Sequence, residues 1–89
     1  MLRKTITINN KLGLHTQASM QWIKIARCFI SDISLKCNGK QVDGKSILEV
    51  ISLTARQGSP VEVTLKGEDE AAALTVLERL VTDRFGEKE

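Results

Sequence analysis

The side chain best suited to chemistry in this sequence is its single histidine, His15. It stands between a loop-like segment that ends on Gly13 and the start of an amphipathic stretch. The first N–H groups of a helix have no internal partner and the helix dipole is positive there, so a helix beginning at His15 favours a bound phosphate. The same positive end disfavours imidazolium, which predicts a largely neutral ring. A neutral imidazole nitrogen is a nucleophile, so the position indicates phosphoryl acceptance and donation, with the N–H groups of Thr16 and Gln17 holding the phosphoryl oxygens.

A histidine at this place also has an ordinary explanation, since surface residues and helix caps without chemistry occur there. Other chemistries find less support. Cys28 and Cys37 are too few for a disulfide framework or a metal cluster, so we expect reduced thiols, no metal and no cofactor.

Composition narrows the class of protein further. Lys and Arg number 13 against 11 Asp and Glu, and aromatic residues are 3%, which argues against a nucleic-acid module. No apolar run approaches the roughly 18 residues of a membrane span, and no apolar segment follows the charged N-terminus as in a signal peptide. We expect a cytoplasmic protein that does not bind membranes, with a single domain over residues 1–89.

Strands that could position His15 are visible as alternating polar and apolar residues. The alternation predicts strands around Thr5–Ile8, Ile33–Cys37 and Val61–Leu65, the last opened by Pro60. Asn38-Gly39 is a strong hairpin signal, and it predicts a short strand over Lys40–Asp43.

Three helices complete the pattern. An apolar stripe marks the first, with Trp22 in the core and Ile23 on its flank; its members are Ala18, Trp22, Ile25, Ala26 and Phe29. Ser46 and Glu49 have capping-box spacing, and Asp69 can cap a last helix. The order β-α-β-β-α-β-α predicts an α+β fold, a four-stranded antiparallel sheet with three helices on one face and a polar opposite face.

Two helices offer surfaces for a partner. On the first helix, Met20, Lys24 and Arg27 lie opposite the apolar stripe. The short helix after Ser46 is apolar nearly all round, so some of its apolar residues must be exposed: Ile47, Leu48, Val50, Ile51 and Leu53. We expect Ile47, Leu48 and Ile51 to contact partners. An apolar patch rimmed by basic residues is typical of a docking surface, unless loops cover it.

The motifs resemble those of the histidine-containing phosphocarrier proteins (HPr) of the bacterial phosphoenolpyruvate-dependent phosphotransferase system. Gly13-Leu14-His15-Thr16 matches that family's active-site motif and Lys45-Ser46-Ile47 its regulatory-serine motif. Further segments resemble proteobacterial members and extend the similarity along the whole chain: Asn38-Gly39-Lys40, Gly67-Glu68-Asp69-Glu70 and Asp83-Arg84-Phe85-Gly86.

The resemblance implies an open-faced β-sandwich and a covalent phosphoryl carrier, not an enzyme. It implies that His15 takes a phosphoryl group from enzyme I, on the ring nitrogen nearer the backbone, and passes it to an enzyme II A domain in a sugar-uptake or regulatory branch. It also implies that Ser46 is a substrate of HPr kinase/phosphorylase, and that the two partner-facing helices contact enzyme I and the enzyme II A domains. A freely diffusing carrier is expected to be a monomer.

One position departs from the family pattern, since Gln17 stands where members usually carry Arg. The Gln amide donates hydrogen bonds without charge, which predicts slower transfer or a charge supplied by the partner. The departure also leaves open a regulatory paralogue that binds partners without transferring phosphate. An acylphosphatase-like enzyme is disfavoured, because that plan needs an Arg in its first loop and residues 9–14 contain none.

Overall fold

The computed structural model describes all residues from Met1 to Glu89. The strands are β1 (Leu2–Thr7), β2 (Asp32–Cys37), β3 (Lys40–Asp43) and β4 (Pro60–Lys66), and the helices are α1 (Thr16–Ala26), α2 (Ile47–Ser52) and α3 (Glu70–Thr82). A short 3-10 turn over Arg84–Gly86 follows α3. The predicted order of strands and helices is confirmed.

The sheet is fully antiparallel in the order β1-β4-β2-β3. Its central strand, β4, buries Val61, Val63 and Leu65 while the residues between them are partly exposed. Pro60 opens β4, where its missing N–H does not interrupt the ladder. The buried residues face the three helices and the other face of the sheet is open, so the predicted open-faced α+β architecture is confirmed.

The hairpin between β2 and β3 forms at Asn38-Gly39, as predicted. Both residues have positive φ, 53° and 80°. This is the backbone conformation of a two-residue hairpin turn whose twist matches that of the two strands it joins. The register that results pairs Cys37 with Lys40 and Leu35 with Val42, placing Leu35 and Val42 in the core.

Helix α1 packs a wider face than its stripe predicted. Trp22 is buried and its indole N–H donates to the carbonyl of Gly44 at 3.0 Å. Ile23, predicted on the flank, is also buried, whereas Ile25 and Phe29 are only half-buried. The buried face of α1 therefore extends to Ile23, because α2 packs against α1 on that side.

The predicted capping box at Ser46 is wrong. The Ser46 side chain makes no cap hydrogen bond, although the residue does precede the first turn of α2. Glu49 accepts a hydrogen bond from the N–H of Asp43 at 3.2 Å, in place of the N–H of Ser46. The Ser46 N–H instead donates to the carbonyl of Asp43, because the chain turns sharply between β3 and α2.

The predicted side-chain cap at Asp69 is wrong as well. Asp69 precedes α3, but its carboxylate accepts the N–H groups of Ile30 and Ser31 at 2.9 and 3.0 Å, and the Ser31 hydroxyl. The Ser31 hydroxyl is the largest cause of a lowered Asp69 pKa; burial opposes it, and the backbone N–H bonds add to the lowering. The side chain thus joins the start of α3 to the turn before β2 instead of capping its own helix.

Candidate functional site at His15

The loop before His15 is held by close backbone contacts at Gly13. Gly13 has φ +69°, and a Cβ there would lie 2.5 Å from the carbonyl oxygen of Ala55. The next residue, Leu14, is buried and its N–H donates to the same Ala55 carbonyl at 2.9 Å. Only glycine satisfies both the left-handed backbone and this approach. The contacts with Ala55 therefore fix where the chain enters α1.

His15 is the residue that precedes the first turn of α1, as the sequence predicted. Its backbone is extended, with φ −78° and ψ −177°, and its carbonyl accepts the N–H of Ser19 at 2.8 Å. The ring nitrogen nearer the backbone, Nδ1, accepts the N–H of Gln17 at 3.3 Å. The side chain caps the helix and remains 25% exposed, so a partner can reach it.

The other ring nitrogen faces a carboxylate. Nε2 of His15 lies 2.5 Å from Oε2 of Glu87. Because Nδ1 accepts a hydrogen bond, we assign the ring proton to Nε2, where Glu87 accepts it. The lone pair of Nδ1 is consequently directed at the N-terminus of α1, where anionic oxygens are favoured.

Glu87 is a site residue that the sequence reasoning missed. It lies 72 residues from His15 along the chain, and no local spacing connects the two. Its second carboxylate oxygen accepts a hydrogen bond from Nδ2 of Asn10 at 3.1 Å. Partial burial raises the pKa of the Glu87 carboxyl, but the hydrogen bonds from His15 and Asn10 lower it, and the net result is a pKa below the ordinary value.

The remaining predicted phosphate-site residues lie beside the histidine. Thr16 and Gln17 are exposed in the first turn of α1. Gln17 and His15 line an open groove of about 450 Å³, with Lys11, Leu12 and the chain end from Glu87 to Glu89 along its other side.

The predicted docking residues lie on a neighbouring surface. Met20 is 58% exposed and Leu48 79%, Lys24 and Arg27 are exposed, and Ile47 and Ile51 are half-buried. A shallow groove of about 310 Å³ brings five residues of α1 and α2 together: Met20, Ile23, Lys24, Arg27 and Ile47. We call the predicted set, Met20, Lys24, Arg27, Ile47, Leu48 and Ile51, the α1–α2 surface. Met20 and Leu48 supply the exposed apolar area of this surface, and Lys24 and Arg27 its exposed basic groups.

Ser46 lies at the edge of this surface. It is half-buried, and its hydroxyl is not used to cap α2.

Among the three α-helices, none is both long enough and apolar enough to cross a membrane.

A nucleophilic imidazole nitrogen beside an open helix N-terminus, on a surface rather than in a deep cleft, is typical of a protein that carries a phosphoryl group between partners. Comparison with known proteins agrees with this class. The family model described as "PTS HPr component phosphorylation site" matches residues 2–83. The chain belongs to the HPr family, the phosphocarrier proteins of the phosphotransferase system.

Curated relatives match the chain over its whole length. The phosphocarrier protein HPr of Cupriavidus necator is 45% identical over 89 residues, and that of Neisseria meningitidis is 40% identical over 89 residues; both alignments cover 100% of each chain. Among solved structures, an HPr of Thermoanaerobacter tengcongensis superposes with a TM-score of 0.95 at 36% identity and 100% coverage of both chains. The phosphocarrier function in the phosphotransferase system rests on this family membership.

Proposed function

We propose that Nδ1 of His15 accepts a phosphoryl group from phospho-enzyme I and passes it to an enzyme II A domain. The observation that carries the proposal is the arrangement of the ring. Nδ1 is the unprotonated nitrogen and points at the N-terminus of α1, while Nε2 is engaged by Glu87. The reactive lone pair and the anion-binding end of the helix therefore share one place.

The N–H groups of the first turn change partners in this mechanism. In the free protein the Gln17 N–H donates to Nδ1. Once Nδ1 bonds to phosphorus, its lone pair is used, and the N–H groups of Thr16 and Gln17 donate to phosphoryl oxygens instead. The protein holds the group until the acceptor takes it, so it acts as a covalent carrier and not as an enzyme with its own turnover.

The α1–α2 surface is the proposed contact for both partners. Its exposed apolar residues, Met20 and Leu48, supply area that loses water on docking, and Lys24 and Arg27 attract acidic partner faces. A small contact of this kind releases quickly after transfer, as a carrier requires. We expect a cytoplasmic monomer that binds neither membranes nor nucleic acid.

Ser46 is proposed as a regulatory phosphorylation site for HPr kinase/phosphorylase. Its hydroxyl makes no cap bond, and it precedes the half-buried Ile47 of the α1–α2 surface. A phosphate there adds about two negative charges beside Lys24 and Arg27, which weakens docking of acidic partners without refolding the domain.

Gln17 supports a second candidate, a regulatory paralogue that binds partners but does not carry phosphate. Its side chain lacks the fixed charge that Arg gives a phosphate site. A carrier and a regulatory paralogue would use the same α1–α2 surface, so only a phosphoryl-transfer experiment distinguishes the two functions.

The deciding experiment incubates the pure protein with phosphoenolpyruvate and enzyme I and follows its intact mass. We expect one added phosphoryl group that is lost in acid and absent in His15→Ala. His15→Ala leaves the core intact because the ring is partly exposed, and its circular dichroism serves as the folding control. No added mass with either a generic enzyme I or that of the host would refute the carrier and favour the regulatory paralogue.

A further inference from the structure

The carboxyl-terminal residues of the chain are attached to the loop that leads into His15. The carbonyl oxygen of Glu89 accepts the Lys11 N–H at 2.9 Å, and the Glu89 carboxylate lies 3.4 Å from Nζ of Lys11. Two residues earlier, Glu87 contacts both His15 and Asn10. The end of the chain is thus part of the wall of the His15 groove.

Asn10 connects the two sides of this arrangement. It is fully buried, and its Nδ2 donates to the carbonyl of Gly13 at 2.7 Å and to Oε1 of Glu87 at 3.1 Å. A single amide therefore holds the loop before His15 and the carboxylate beside its ring. A buried side chain with few rotamers fixes that carboxylate more firmly than solvent contacts would.

The backbone before Glu87 is bent toward the histidine at a conformational cost. Arg84 and Phe85 have φ +56° and +55°, which L-residues adopt only where the surrounding structure requires it. Phe85 is buried, so its ring anchors the turn in the core. The left-handed pair reverses the chain after α3 and places Glu87 against the ring of His15.

We propose that Glu87, held by Asn10, is a positioning residue for phosphoryl transfer: it keeps the His15 proton on Nε2 and leaves Nδ1 free to attack. This inference rests on the proposed function of His15. The negative charge beside the His15 ring comes from Glu87, which lies outside the motif Gly13-Leu14-His15-Thr16.

The transfer step shows what the carboxylate does. The lone pair of Nδ1 forms the N–P bond while the bond from phosphorus to the donor atom of phospho-enzyme I breaks, and that electron pair stays on the donor. The Nε2 proton remains on the His15 ring, which gains positive charge as the N–P bond forms. The Glu87 carboxylate accepts this proton in a charge-assisted hydrogen bond and stabilises that charge.

Other charged groups face the same groove and must be separated from Glu87. They are Lys11, Lys88 and Glu89. Glu89 is attached to the loop through its backbone carbonyl, which Glu89→Gln keeps, whereas its exposed side-chain pair with Lys11 contributes little. Because the Glu89 side chain has no contact with the ring, Glu89→Gln removes the same formal charge two residues away and serves as the matched control.

The experiment compares wild type, Glu87→Gln, Glu87→Ala and Glu89→Gln by rapid-quench phosphorylation from phospho-enzyme I and by ¹⁵N NMR of the His15 ring. We expect transfer to slow ~10-fold in Glu87→Gln and further in Glu87→Ala, since a charge-assisted hydrogen bond is about twice as strong as a neutral one. In the same spectra we expect the protected Nε2–H resonance of wild type to be lost in Glu87→Ala and kept in Glu89→Gln. A merely structural role of Glu87 would not produce that ring signature.

The outcomes distinguish this proposal from the proposed function. If wild type is phosphorylated and both Glu87 variants react at its rate with unchanged ring spectra, the positioning role is refuted and the carrier stands. An equal slowing in Glu89→Gln would also refute it, because the cause would be general charge. If wild type accepts no phosphoryl group, the carrier and the positioning role fall together.

Discussion

At the scale of single residues, the hydrogen bond that His15 Nδ1 accepts does not depend on the side chain at position 17. The hydrogen bond to Nδ1 comes from the backbone N–H of Gln17 and not from its side chain. Any residue except proline supplies that N–H. The departure from the family's Arg therefore leaves the helix-terminus site intact and removes only a charged side-chain donor.

Gln17→Arg tests this separation of backbone from side chain. We expect phosphoryl transfer about fivefold faster, because a charge-assisted hydrogen bond to phosphate adds roughly 1 kcal/mol to a neutral one. Transfer rate from phospho-enzyme I is the measurement. Gln21→Arg is the control, since Gln21 is exposed one turn further along α1 and the net charge changes equally. Equal acceleration in both variants would assign the effect to partner attraction instead of the phosphate site.

At the scale of elements, the start of α1 depends on a close approach between two loops. The Ala55 carbonyl, in the segment after α2, accepts the N–H of Leu14 in the segment after β1 and lies against Gly13. The site is thus positioned by the connection between two loops, and α1 alone does not determine where His15 points.

Gly13→Ala should therefore be far more costly than an alanine at a glycine of similar backbone. Gly58 also has positive φ, at +89°, but a Cβ there meets nothing within 4 Å. We expect Gly58→Ala to lower the free energy of unfolding by about 1 kcal/mol, and Gly13→Ala by about 3 kcal/mol, because the clash with Ala55 adds to the backbone strain. Urea unfolding measures both; equal losses would contradict the close approach.

At the scale of the whole molecule, carboxylates join segments that are distant in sequence. Asp69 binds the turn at Ile30 and Ser31, and Glu87 binds the loop at Asn10 and His15. Both carboxyl pKa values lie below their ordinary values. Each of these connections is therefore strongest when its carboxyl group is ionised.

Asp69 predicts a specific pH dependence of stability. Its folded pKa lies below the ordinary 3.8, so the unfolded chain takes up a proton first as pH falls. The stabilisation is fully present above the unfolded value and is lost as pH falls through the lower folded value. We expect Asp69→Asn to lower the melting temperature at pH 7, with the difference from wild type shrinking at acidic pH.

Thermal unfolding followed between pH 7 and acid checks this prediction, with Asp32→Asn as the control. Asp32 is exposed on the neighbouring β2, and its substitution removes the same charge. A wild-type advantage that stayed constant into acid would show that the shape of the side chain, and not its ionisation, makes the difference.

Periodicity and turn chemistry were enough to predict the order of strands and helices, the hairpin at Asn38-Gly39 and the helix beginning after His15. These features depend on residues a few positions apart, and the backbone geometry of each element imposes its spacing. The exposure of Leu48 was likewise implied by a short helix with apolar residues on every side.

The tertiary structure determined which groups the polar side chains bind. Ser46, Glu49 and Asp69 have the residue types and spacing of local caps, yet Glu49 and Asp69 bind N–H groups of other segments and Ser46 makes no cap bond. Glu87 meets His15 only because the left-handed turn after α3 brings the chain back. Sequence alone determined where His15 lies relative to the start of α1, because that is a local property. What faces its second nitrogen was settled by the path of the whole chain, since a hydrogen bond requires proximity in space and not in sequence.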